Sequence, residues 1–190
     1  LMDRYGWQSP FLVMGGLGCI GAVALFFIIP DQPGTASPKV SPAEYIGAYS
    51  RLLTNKPALG ALGYVFFVSP ANDNLFVVYG AWLEKSFGLG IVALGLGTSL
   101  IGVAELAGEG LTAAISDRIG LKRSLVAGLS LSVLSYFALP FLDMSLTAAL
   151  TGLAVLFFIF EFTMVTSISL CTEILPGFRA TMMSGFFATA

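Results

Sequence analysis

The sequence predicts an all-α integral membrane bundle, and three observations carry that prediction. Of 190 residues, 56% are apolar and only 11% are charged, less than half the ~25% charge of a water-soluble domain. The apolar residues gather in long runs without strand alternation, and in lipid such runs satisfy their backbone groups internally only as helices. Nearly every base falls between the runs rather than within them.

Taken in order, the first helix starts at Ser9-Pro10, a hydroxyl cap followed by a proline whose missing N–H costs nothing at a first helical position. Residues 11–29 carry no charge, and at ~1.5 Å per residue they nearly cross a hydrocarbon core of ~30 Å. This sets a first span over 10–29, closed by Pro30-Asp31. The prolines at 30, 33, 38 and 42 then mark a solvated linker. Ser41-Pro42-Ala43-Glu44 has the spacing of a capping box and opens a short helix over 42–55. Its Tyr45, Tyr49, Leu52 and Leu53 share one face, which predicts a helix lying on the membrane surface. Four further spans are expected over 57–82, 88–115, 124–142 and 145–170, with another starting near 180. The result is five full spans and a truncated sixth, organised as a helix at 1–30, a linker at 31–56 and a bundle at 57–190. The chain reads as a fragment.

Basic residues concentrate on the cytoplasmic side of membrane proteins. If five spans alternate, the linkers at 30–56, 116–124 and 171–180 share one side. They hold Lys39, Arg51, Lys56, Arg118, Lys122, Arg123 and Arg179, leaving only Arg4 and Lys85 opposite. The first set is assigned to the cytoplasm, in a cell membrane. Trp7 and Trp82 then fall at the outer interface, where amphipathic aromatics belong.

Several chemistries are excluded. A net charge of -2 gives no basic footprint for nucleic acid. With no histidine and two cysteines far apart, Cys19 and Cys171, neither a zinc site nor a histidine-based triad is expected. Gly16-Leu17-Gly18-Cys19-Ile20-Gly21 spells a dinucleotide fingerprint, but that motif works at a strand-to-helix turn open to water. Inside an uncharged span it reads as close helix packing, as do Gly88, Gly90, Gly95 and Gly97. No phosphate-binding loop with a lysine occurs, so no nucleotide or other cofactor is expected.

Carboxylates, unlike bases, do enter the spans, and a charge there usually faces a cavity or a partner. Asp73 lies near mid-span within Ser69-Pro70-Ala71-Asn72-Asp73-Asn74. Pro70 removes a backbone hydrogen bond, so a bend or break is expected there. Interrupted spans at mid-membrane are where transporters expose polar groups to substrates; the plainer reading has Asn72 and Asn74 satisfying the freed backbone. Glu161 is enclosed by Phe157, Phe158, Phe160 and Phe162, where an acid holds its proton until water arrives. The plainer reading is a neutral acid bonded to a neighbouring helix. Glu105 and Glu109 lie one turn apart on one helix face; Glu105 is the deeper proton or cation site, and Glu109 lies near the headgroups in a structural role.

The turn at 116–124 holds Asp117-Arg118-x-Gly120-x-Lys122-Arg123. This resembles the D-R-x-G-R-R/K-R core of the signature loop of the major facilitator superfamily, with Ala113 in place of the leading glycine and Leu121 in place of the first arginine. Such weakening resembles the second copy of that loop, between the eighth and ninth helices. Trp7-Gln8-Ser9-Pro10-Phe11 resembles the family's W-R-x-x-F opening of the sixth helix, and residues 173–179 its E-x-x-P-x-x-R linker before the eleventh.

The resemblance covers the whole chain as the sixth to early eleventh helices of a twelve-helix transporter, whose N-terminal half would lie outside it. It implies alternating access with a small-molecule substrate, and efflux of drugs or small metabolites coupled to protons. It also implies that Asp117, Arg118, Gly120, Lys122, Arg123, Glu173 and Arg179 gate the cycle. The residues alone leave two rivals: a membrane-embedded enzyme, which would lack both histidine and an in-span lysine, and a helical subunit that transports nothing.

Overall fold

The computed structural model describes residues 5–6, 8–28 and 41–190, without the side chains of Pro42 and Tyr45. The expectations for Arg4, Trp7, Lys39 and most of the proline-rich linker lie outside the described residues. The chain divides into two compact units, residues 1–41 and 42–190.

The first unit contains α1, Ser9–Ile28. Ser9 is its first helical residue rather than a cap that accepts from the following turn: its hydroxyl donates back to the Gly6 carbonyl at 2.8 Å. Gly16, Gly18 and Gly21 lie in the helix interior, which is the wrong setting for phosphate binding.

The second unit contains α2 (Pro42–Thr54), α3 (Lys56–Phe87), α4 (Ile91–Ile119), α5 (Leu121–Ala138), α6 (Leu146–Ile174) and α7 (Arg179–Thr189). Short 3-10 turns at Leu139–Phe141 and Pro176–Phe178 follow α5 and α6. No strand occurs among the described residues. Among the described residues five helices, α1 and α3 to α6, are long and apolar enough to cross a membrane, in agreement with the sequence. Helices α3, α4 and α6 run past the ends of their apolar runs at 82, 115 and 170. The Asn55 side chain accepts from the Ala58 N–H at 3.0 Å to start α3, and the Ser145 hydroxyl accepts from the Ala148 N–H at 3.2 Å to start α6.

The glycines between α3 and α4 are caps rather than packing residues. Gly88 ends α3 at φ 65° and Gly90 precedes α4; of the four, only Gly97 approaches another helix, where an added Cβ would come 3.2 Å from Leu150. Between α4 and α5 the joint is Gly120 alone, at φ 95° and ψ 129°. A residue with a Cβ is strained there, which gives the motif's glycine a conformational reason.

Helix α6 is the hub. It packs along α4 and α5 and also meets α3 and α7. At the end holding Pro57, Lys122 and Ile174, which line one hollow, Leu52, Ala58, Leu62, Val65, Cys171, Met182 and Phe186 form a core. At the opposite end Tyr79, Leu83, Ile101, Ala149, Leu153 and Phe157 form a second, with Trp82 beside it. The turns after α2, α4 and α6 thus share one end, as the alternation of spans requires. Helix α2 is more than a surface helix. Leu52 is 3% exposed in the first core, Tyr49 and Ser184 share a hydroxyl bond at 3.0 Å, and Arg51 sits over the Phe178 ring at 5.1 Å. Leu53 points away, 60% exposed.

Candidate functional site

The segment around Asp73 stays helical. Helix α3 runs without interruption through Pro70, so the expected break is absent. Pro70 has no N–H for the Phe66 carbonyl, yet the lost bond is local and the turns on either side continue the helix. Asn74 Nδ2 donates to the Pro70 carbonyl at 2.7 Å, one turn back. That carbonyl is not the one the proline frees. Asp73 and Asn74 are exposed on the surface of the bundle, whereas Asn72 is 8% exposed and its Oδ1 has no hydrogen-bond partner among the described residues. A buried polar atom without a partner is costly, and the Ser69 hydroxyl, 7% exposed, is in the same position, so Ser69 and Asn72 are the groups in this segment with unused bonding capacity.

One turn further on, Phe76 stacks edge-on against Phe157 at 4.9 Å and Tyr79 at 5.8 Å. The Tyr79 and Thr98 hydroxyls share a bond at 2.9 Å, tying α3 to α4. This aromatic group was not singled out in the sequence. Its signal was available in the spacing of Phe76 and Tyr79 from Asp73.

The other acids come together. Glu161, half-buried, stands at the middle of α6, between Phe158 and Phe162, whose backbone lies against Gly108 of α4, itself between Glu105 and Glu109. Helical spacing places it between Phe157, which faces α3, and Phe158, whose carbonyl lies against Gly108 of α4. Glu105 is half-buried and Glu109 exposed. Three carboxylates from two helices therefore share one region at mid-helix.

The contacts that create this juxtaposition went unread in the sequence. A Cβ on Gly108 would collide with the Phe158 carbonyl oxygen, and a Cβ on Gly128 of α5 with the Thr163 hydroxyl. Thr112, 3% exposed, donates from Oγ1 to the Phe162 carbonyl at 3.1 Å and lies 3.2 Å from that of Gly108. The four-residue spacings Gly108-Thr112-Ser116 and Ser124-Gly128-Ser132 are the small-residue pattern of close membrane packing.

At the turn, Asp117, Gly120, Lys122, Arg123 and Glu173 line a single open cleft. Among these described residues no ion pair closes it. Arg118 is outside the cleft lining, and Arg179 donates from Nε to the Thr172 carbonyl at 3.2 Å, next to Glu173.

A bundle of apolar spans, with acids at mid-depth and bases at the helix ends, defines a multi-pass membrane protein. The family model described as Major Facilitator Superfamily matches residues 1–190, and the chain belongs to that family of membrane transporters. It is 25% identical over 185 residues to an uncharacterized MFS-type transporter, YceJ, of Bacillus subtilis (strain 168), an alignment that covers 96% of this chain and 46% of that protein. The chain thus spans less than half the length of this relative.

Proposed function

We propose that this chain forms part of a proton-coupled transporter that exports drugs or small metabolites across the cell membrane by alternating access. Helices outside residues 1–190 would supply the facing half. The observation that carries the reading is that Gly108, between Glu105 and Glu109, packs against Phe158 and Phe162, on either side of Glu161, while the bases described in residues 42–190 lie at helix ends. A carboxylic acid at that depth takes up or releases a proton as water reaches it from one side or the other. Asp73, Asn72 and Asn74, with the Phe76 and Tyr79 rings one turn away, supply the substrate-facing surface. An acidic interior without bases favours neutral or cationic substrates. The charges around the 116–124 turn, on the cytoplasmic side, gate the cycle by pairing in one state and parting in the other.

The test uses the intact protein in inverted vesicles under an imposed pH gradient, with ethidium, tetraphenylphosphonium and an uncharged dye as probes. Glu161→Gln and Asp73→Asn are each expected to lower gradient-driven flux of a transported probe about tenfold, equivalent to ~1.4 kcal/mol, at unchanged protein level. Wild-type flux in both variants removes these acids from the coupling scheme.

A further inference from the structure

We infer that Gly108, Thr112 and Gly128 are positioning residues that clamp residues 158–163 of α6 between α4 and α5, fixing the rotation of Glu161 relative to the α4 face that carries Glu105. The inference rests on the reading of Glu161 as a proton-carrying acid and concerns how the fold holds it.

The clamp has two jaws. On the α4 side the approach is backbone to backbone: besides the Phe158 carbonyl oxygen, a Cβ on Gly108 would meet Phe162 N at 3.1 Å and Phe158 C at 3.2 Å. A flexible side chain can yield to an intruding methyl, but helix backbone cannot without moving the whole helix. Beside it, the Thr112 hydroxyl reaches the Phe162 carbonyl at 3.1 Å. That bond has a direction and therefore sets rotation as well as distance. On the α5 side Gly128 admits the Thr163 hydroxyl and the Phe162 ring edge, with Cδ1 at 3.2 Å from an added Cβ. Thr163 in turn donates to the Ile159 carbonyl at 2.6 Å, which holds its side chain in the slot.

Glu161 lies inside this clamped stretch, yet it is not itself gripped. Burial among the surrounding side chains acts on it first, and the carboxylates of Glu105 and Glu109 on α4 second. Both the burial of Glu161 and its distance from the α4 carboxylates change when α6 turns against α4, and the contacts of Phe158 and Phe162 with Gly108, on either side of Glu161, are what fix that turn. A shift of about 1 Å in a positioned group is enough to degrade a functional constellation.

The experiment measures protonation of Glu161 directly and needs no substrate. The intact protein in lipid vesicles is treated with dicyclohexylcarbodiimide, which attacks protonated carboxyls from the lipid phase, between about pH 5 and pH 9. Labelling at Glu161 is read by mass spectrometry. Thr112→Val is expected to move the labelling midpoint in the same sense as Glu105→Gln, by about half a unit or more, and Thr112→Ser to restore it. Gly128→Ala provides a second variant should Thr112→Val not fold, with the same expected sense. A wild-type midpoint in both Thr112→Val and Gly128→Ala overturns the clamp and leaves the proton reading standing. Labelling of Glu161 that is independent of pH in the wild type overturns both. A change in unfolding temperature without a change in midpoint assigns these residues to stability alone and also overturns the inference.

Discussion

Helix α6 is held along two seams of different design. Against α4, Gly97 and Gly108 bring the helices close and Thr112 adds a hydrogen bond that reaches across to the Phe162 carbonyl. Against α5, Gly128 also permits close approach. There the flanking Ser124 and Ser132 are 2% and 5% exposed, and their hydroxyls have no hydrogen-bond partner among the described residues; nor does Thr166 of α6. The first seam combines size with direction, whereas the second relies on size. In lipid, apolar burial does not drive helices together, so dispersion and hydrogen bonds decide the packing. The seam with direction is the one beside the acids.

Substitutions at four positions test that contrast through thermal unfolding of the intact protein in detergent. Gly108→Leu should be the most damaging, costing about 3 kcal/mol or more, because backbone stands in the way; a loss below ~1 kcal/mol would mean the seam yields easily. Gly128→Ala should cost about 1–2 kcal/mol, since Thr163 can rotate aside at the expense of its bond to Ile159. Thr112→Val should cost ~0.6 kcal/mol, the average for a hydrogen bond between membrane helices, with Thr112→Ser close to wild type. Ser132→Ala should stay within about 0.5 kcal/mol and on the stabilising side, because it removes a buried hydroxyl that lacks a partner. Equal losses for Thr112→Val and Ser132→Ala would erase the distinction between the seams.

Charge, proline and run length made the spans legible, because lipid leaves the backbone few alternatives. The same logic placed the turns after α2, α4 and α6 at one end, and it marked Gly120, whose backbone indeed has positive φ. What remained hidden depends on partners. In α4 the glycines at 95, 102, 108 and 110 look alike as letters, yet 95, 102 and 110 meet nothing within 4 Å of an added Cβ while 108 lies against backbone. Leu52 and Leu53 are equally apolar; only Leu52 finds α3 and α7. Each acid was noticeable alone, but the packing of Gly108 against Phe158 and Phe162, which brings their helices together at that level, is tertiary. Pro70 does not break α3, because the turns on either side of one missing bond still close.

The joint at Gly120 has a further consequence. Helix α4 ends at Ile119 and α5 begins at Leu121, so there is no slack between them. One inserted residue would turn α5 by about 100° about its own axis and carry Gly128 away from Thr163. This connection should therefore tolerate changes of chemistry far better than changes of length, and a tilt of one helix passes to the next much as motion passes through a stiff crank.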